Sequence, residues 1–171
     1  MDNIILIGMP SAGKSSAGVV LAKALGKNFL DADLLIQERE GDRLQNILNE
    51  RGIEAFLDLE GEVLASIECS NTVIAPGGSS IYRDHAMQHL RKLGTVVYLK
   101  LSLAEVERRL YNLSSRGVAL RPGETLADLY AFRTPLYEKY AHVTVTCDGQ
   151  DHSETIEAIR AALRAYSGEE I

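Results

Sequence analysis

Residues 3–16 read Asn3-Ile4-Ile5-Leu6-Ile7-Gly8-Met9-Pro10-Ser11-Ala12-Gly13-Lys14-Ser15-Ser16. A continuous apolar run such as Ile4–Ile7, with no polar alternation, describes a strand buried on both faces, and such strands belong to parallel sheets covered by helices. The run stops at Gly8, and from Gly8 to Ser15 the spacing is GxxxxGK[ST]. Ser15 to Leu25 then carries Ala, Val and Leu at helical spacing until Gly26 stops it. Strand, glycine-rich loop and helix in that order are the context in which this pattern holds phosphate. Glycines let the backbone wrap an anion, successive amides form a nest, and the helix N-terminus adds its positive end. Lys14 is placed to reach the outer phosphates of a nucleoside triphosphate and the Ser15 hydroxyl to ligate Mg²⁺. Gly8, Ser11, Ala12, Gly13, Lys14, Ser15 and Ser16 are the expected nucleoside-triphosphate-binding residues.

Outward from this loop the chain alternates apolar runs with helical patterns. Short strands are predicted at Asn28–Leu30, Thr72–Ala75, Thr95–Leu99 and Val143–Thr146. Helices are predicted around Leu44–Glu50, Ile53–Ile67, Ala86–Leu93, Ser102–Tyr111, Leu126–Tyr140 and Ser153–Tyr166. Ser102 and Glu105 have the spacing of a capping box. Residues 112–124 are rich in Asn, Ser, Gly, Arg and Pro with little periodicity, and a long irregular stretch in a compact domain is usually functional. The alternation argues for an α/β fold with a mostly parallel sheet, in one domain spanning residues 1–171.

Composition narrows the function. The 171 residues are 46% hydrophobic and 25% charged, an ordinary globular balance, with a formal net charge of −6. That sign gives no global attraction to nucleic acid, so any phosphate must be held by a local cluster of donors. The apolar runs are far too short to span a membrane, and Met1-Asp2-Asn3 does not open like a secretory signal, so the cytoplasm is the expected compartment. Cys69 and Cys147 lack any partner spacing and read as packing residues in a reducing environment. His85 and His89 are four apart on a predicted helix, but no third ligand accompanies them.

Three further groups carry candidate chemistry. Asp31 and Asp33 follow the second strand, at the sheet edge where open α/β folds collect ligands. They suit a Mg²⁺ shell and a base for an acceptor hydroxyl, and equally the capping of a following helix. Pro76-Gly77-Gly78-Ser79-Ser80 follows the third strand, where a glycine pair permits close approach by a ligand or simply makes a turn. Arg116 and Arg121 fall in the irregular segment, and Arg133 in Phe132-Arg133-Thr134-Pro135-Leu136-Tyr137. Arginine suits bidentate recognition of phosphate or carboxylate, although any single one can be a solvated surface residue.

In the order and spacing of these pieces the chain resembles the shikimate kinase family of small P-loop kinases over nearly its whole length. The resemblance implies a three-layer αβα fold with a five-stranded parallel sheet of order 2-3-1-4-5. It implies a substrate-binding insertion at about 32–62 and a lid at about 112–124. It implies ATP-dependent phosphorylation of shikimate with Mg²⁺ on Ser15 and Asp31. Lys14, Asp33 and Arg116 would be catalytic, and Asp33, Gly77, Gly78 and Arg133 would bind the acceptor. A monomer acting on small molecules is expected, with no nucleic-acid or membrane partner. Three departures stand out. The family's Phe-Arg-x-x-Glu is Phe56-Leu57-Asp58-Leu59-Glu60, its Gly-Gly-Gly is Gly77-Gly78-Ser79, and its Arg-Pro-Leu-Leu is Arg116-Gly117-Val118-Ala119. The first removes a second arginine from the acceptor carboxylate, for which Arg51 or Arg83 would be the substitutes. A kinase for another small hydroxylated acceptor such as homoserine or gluconate is the alternative within enzymes, and a non-catalytic nucleotide-binding module the alternative outside them.

Overall fold

The computed structural model of the chain describes residues 3–111 and 121–168. Its strands are β1 (Asn3–Ile7), β2 (Asn28–Asp31), β3 (Thr72–Ala75), β4 (Gly94–Lys100) and β5 (Val143–Thr146). Its helices are α1 (Lys14–Leu25), α2 (Ala32–Glu40), α3 (Leu44–Arg51), α4 (Ile53–Ala65), α5 (Asp84–Leu93), α6 (Leu103–Tyr111), α7 (Leu126–Tyr140) and α8 (His152–Ser167), with a 3-10 turn at Ser80–Tyr82. The sheet runs β2-β3-β1-β4-β5 and every pairing is parallel, as expected. All five carboxyl ends therefore open on one edge.

Every residue of β1 and of β3 is buried, which is what sequences without polar alternation require of central strands. The main core joins both faces of the sheet to the helices that cover them. A second, smaller apolar cluster of Ile36, Ile47, Phe56, Leu57, Leu59 and Val63 lies within α2, α3 and α4. This segment between β2 and β3 thus has a core of its own.

α2 is the helix missing from the sequence-based assignment. It presents only Ala32 and Ile36 as buried residues, too thin a stripe to read as a period, and is started by Asp31, whose side chain accepts from the Asp33 amide. The capping box expected at Ser102 forms by half. The Glu105 amide donates to Ser102 Oγ at 3.3 Å, while the Glu105 carboxylate turns to Arg108 and Arg109 instead.

The two cysteines are free thiols. Burial pushes the Cys147 thiol up to about 11, a packing group and not a nucleophile. The His89 ring bonds the Ile67 carbonyl at 2.7 Å, and among the described residues no group of three or more His, Cys, Asp or Glu is placed to hold a metal ion. None of the described helices is long and apolar enough to cross a membrane.

One buried side chain ties three strand starts together. Asn3 donates from Nδ2 to the carbonyls of Cys69 (2.9 Å) and Leu93 (3.1 Å), and its Oδ1 accepts from the Thr72 amide at 2.9 Å. These bonds satisfy backbone groups at the entrances to β3 and β4, of which the Thr72 amide is buried. Asn3→Ala should therefore cost roughly 2–4 kcal/mol, because it strands buried polar groups without partners. Urea unfolding of the variant with an unchanged m-value checks this; a loss below about half a kcal/mol would contradict the role assigned to Asn3.

Candidate active site

The loop after β1 turns through three residues of positive φ, Gly8 (153°), Ser11 (69°) and Gly13 (85°). Left-handed backbone is costly for most residues, and Gly13 takes it at the helix boundary without a Cβ. Gly13 brings no capping side chain, so the first-turn amides of α1 are left for a ligand at the positive end of the helix. Gly8 lies so close under the Leu99 carbonyl that a Cβ there would sit 2.7 Å from its oxygen. Ala12 closes the loop by donating its amide to the Met9 carbonyl at 3.1 Å. Ser16 Oγ donates to the Gly13 carbonyl at 3.2 Å and meets His152 Nε2 at 3.0 Å.

Lys14 Nζ donates to the carbonyls of Gly8 and Met9, each at 3.0 Å, arching back over the loop it serves. Burial draws its ammonium down to about 8; the Arg133 charge adds to the fall, while Asp33, Asp31 and Glu60 oppose it. Ser15 Oγ donates to Asp31 Oδ2 at 2.7 Å. Asp31 thus does both things its position allowed, capping α2 through Oδ1 and facing the P-loop through Oδ2. A hydroxyl and a carboxylate held together beside a phosphate nest are the hard oxygen donors that Mg²⁺ prefers, so the site fits that ion.

A cavity of about 500 Å³ adjoins the loop, between Gly13 and Ser16 on one side and Arg109, Asp151 and His152 on the other. Arg109 is fixed there by Glu105 (2.7 Å) and the carbonyls of Cys147 (3.1 Å) and Ser11 (3.3 Å).

Across the same edge lies a second set. The closest atoms to a Cβ on Gly77 would be Glu60 Oε1 at 2.5 Å and Asp33 Oδ1 at 3.0 Å. On Gly78 they would be Arg133 Nη1 at 3.1 Å and Pro10 Cδ at 3.2 Å. The two glycines are therefore a point of close approach, beyond a simple turn. Arg133 is only 3% exposed, with Nε on Tyr82 Oη at 3.1 Å and its guanidinium 5.2 Å above the Tyr82 ring centroid. Tyr137 donates its hydroxyl to the Gly78 carbonyl and stacks on Tyr98. Glu60 is 2% exposed, and burial raises its carboxyl to about 7 against the Ser79 hydrogen bond that lowers it.

The structure thus gathers the expected residues Gly8, Ser11–Ser16, Asp31, Asp33, Gly77, Gly78 and Arg133 at one sheet edge. Arg116 lies outside the described residues, as does most of the expected lid. Arg121 pairs with Glu54 at 2.9 Å and lines a small cleft with Leu57, Tyr82 and Arg133. The substitutes considered for a second acceptor arginine are engaged elsewhere, Arg51 with Glu40 and Arg83 with Asp58 and Glu54. Tyr82 and Arg109 were not expected at the site, and Glu60, Ser79 and Tyr137 entered only as members of family patterns, without a role. For Glu60 a signal existed: with Phe56, Leu57, Leu59, Val63 and Leu64 it falls on the apolar face of α4, where a carboxylate needs a reason.

The sequence profile of the family described as shikimate kinase matches residues 10–164. The shikimate kinase of Nitrosomonas europaea is 36% identical over 98% of this chain and 81% of its own length. That of Clostridium botulinum is 34% identical over 98% of this chain and 99% of its own. Among solved structures, shikimate kinase from Acinetobacter baumannii in complex with shikimate superposes with a TM-score of 0.87 at 29% identity, covering 99% of this chain and 96% of that one.

Glu60 generates a pH prediction. Its folded carboxyl is raised from 4.5 to about 7, so its contribution to stability is complete below 4.5 and is lost as pH rises through 7. Glu60→Gln removes that loss. The variant should be more stable than the parent at pH 8, by on the order of 3 kcal/mol, with the difference closing towards pH 4.5. Thermal unfolding of both proteins across this range measures it; a constant difference would contradict the raised carboxyl.

Proposed function

This chain belongs to the shikimate kinase family, and on that premise we propose that it transfers the γ-phosphoryl group of ATP to a hydroxyl of shikimate, giving shikimate 3-phosphate. The observation that carries the proposal is that Lys14 and Ser15 share one sheet edge with Asp33, Glu60 and a buried Arg133. A module that only bound nucleotide would need the first pair alone.

Each residue has a role its position supports. The cavity beside Arg109 takes the nucleoside, the open amides of α1 take the phosphates, and Lys14 exchanges its two loop carbonyls for the outer phosphate oxygens. Ser15 and Asp31 would hold Mg²⁺, which when bound neutralises phosphate charge. Arg133 pairs with the acceptor carboxylate, and Gly77 and Gly78 let the acceptor lie against the backbone. Asp33 accepts the proton of the attacking hydroxyl. The acceptor oxygen bonds to phosphorus as the β–γ bridging bond breaks, and the electron pair leaves on ADP. Little covalent chemistry falls to the protein, so rate comes from alignment and charge. Arg116 would add a further cation from a lid over residues 112–124. Two free thiols suit a reducing compartment such as the cytoplasm.

Leu57 favours a second reading. It is 3% exposed where the family places an arginine, and an apolar wall suits a different small hydroxylated acid such as homoserine or gluconate. ATP consumption measured across a panel of such acids decides between them: turnover with shikimate well above all others is expected, and none with shikimate would overturn the proposal.

Two variants test the halves separately. Lys14→Ala should remain folded and lose turnover by orders of magnitude, since its charge at the outer phosphates is lost; near-normal turnover would remove the P-loop from the chemistry. Leu57→Arg should lower KM for shikimate by roughly ten- to a hundredfold with kcat less affected, the worth of one charge-assisted pair. Strong parental activity on shikimate that the new arginine destroys would instead make Leu57 a wall of the native pocket.

A further inference from the structure

Glu60 is a buried carboxylate with an unusual set of neighbours. Its Oε1 has no hydrogen-bond partner among the described residues and shares the space over Gly77 with Asp33 Oδ1. Two carboxylates so placed repel, and a buried one normally rests against a cation. Its own helix supplies none, for the residues three and four back, Leu57 and Phe56, are buried and apolar. Arg83 is held away by Asp58 and Glu54. Lys14 from α1 and Arg133 from α7 pull on Glu60 through space, and Asp33 from α2 pushes against it, but the hydrogen bonds described for Lys14 and Arg133 go to other atoms.

What holds Glu60 is Ser79, whose Oγ donates to Oε2 at 2.6 Å. Ser79 is itself well placed to anchor something. Its carbonyl accepts from the Tyr82 amide at 3.1 Å, and the next residue's amide donates to the Gly77 carbonyl at 3.1 Å, so a short turn fixes its backbone. Anchored by one oxygen, Glu60 keeps the other beside Asp33. Released, it would be drawn towards Lys14 and Arg133, the two cations that the phosphates and the acceptor need.

We propose that Ser79 is a positioning residue of the acceptor site, its hydroxyl fixing Glu60 beside Asp33 in place of a cation that Leu57 cannot supply. This rests on the phosphotransfer reading above for its kinetic consequence, though not for the anchoring itself. Leu57 and Ser79 are then coupled through Glu60. An arginine at 57 would sit one helical turn from Glu60 and make the hydroxyl dispensable.

The test compares Ser79→Ala, Ser79→Thr, Leu57→Arg and the Leu57→Arg/Ser79→Ala double variant with the parent. The side-chain carboxyl of Glu60 is followed by carbon NMR without ATP or acceptor, its signal identified by its absence in Glu60→Gln. Its midpoint, about 7 in the parent, should rise by about one pH unit in Ser79→Ala. Ser79→Thr, which keeps the hydroxyl, should hold it near the parental value, and in the Leu57→Arg/Ser79→Ala double variant it should fall back from the Ser79→Ala value. In turnover, Ser79→Ala should lower kcat about tenfold with KM for ATP unchanged, and the loss should shrink in the Leu57→Arg background. An unmoved midpoint, or an equal displacement with and without Arg at 57, would overturn the anchor. A displaced midpoint with unchanged kcat would overturn the positioning role. If the parent does not phosphorylate shikimate the substrate assignment fails, while the titration still decides what Ser79 does.

Discussion

Parallel pairing of β1 on both sides is the constraint from which the site follows. β1 matches Ile5 to Ile74 of β3 and Ile7 to Tyr98 of β4, while β2 matches Asp31 to Ala75. The strands therefore end nearly level. Gly8, Asp31 and the Pro76-Gly77 step all leave the sheet at one edge, though they come from distant parts of the sequence. An antiparallel neighbour would have sent one of them to the opposite end. The P-loop and the Gly77-Gly78 turn meet because the sheet has a single direction, and the Asn3 side chain guards that arrangement at the other end of the strands.

What the edge then collects is charge of both signs in little water. Lys14 is drawn down to about 8 and Glu60 raised to about 7, so each is held nearer to neutrality than either would be in solvent. Burial is the leading cause for both, and opposite charges only partly repair it. Such a site is costly to the empty enzyme, and that is the ordinary relation between a prepared active site and stability. Phosphates arriving at the α1 N-terminus would offset the exposed positive ends. The same arrival gives Lys14 a better partner than two backbone carbonyls.

How much of this could be read from the letters depends on how local the signal is. The P-loop is complete in eight consecutive residues, because phosphate binding needs consecutive amides and one lysine, and the helix that follows confirms it. Asp31 and Asp33 were legible from their place after a strand, even though capping and metal binding could not be separated; Asp31 caps α2 with one oxygen and accepts from Ser15 with the other. α2 was not legible, since two buried residues make no period. Ser79 and Glu60 were quoted only as part of a family pattern, for their hydrogen bond joins residues nineteen apart whose meeting depends on how α4 packs beside the β3 loop. Tyr82 and Tyr137 carried no role in the sequence for the same reason: an aromatic residue in a helix reads as core, and only the fold shows its hydroxyl turned to Arg133 or Gly78.

The proposed acceptor site has one arginine where the family pattern has two, and the surroundings of that arginine bear on whether it can act alone. Arg133 is held by the Tyr82 hydroxyl and lies over the face of that ring, which is stacked in turn on Phe132 at 5.6 Å. A free arginine surrenders rotamer entropy when it closes on a carboxylate, whereas this one has been ordered by folding. Leu57 removes a second donor, but it also keeps water from that side of the cleft, and charges attract more strongly where water is excluded. One arginine, ordered beforehand and shielded on its flank, can therefore recover part of what two more solvated ones would supply. Whether the acceptor keeps its carboxylate there is then a matter of how well a single planar fork fits it, and that fit is set by Tyr82 and Gly78 as much as by Arg133.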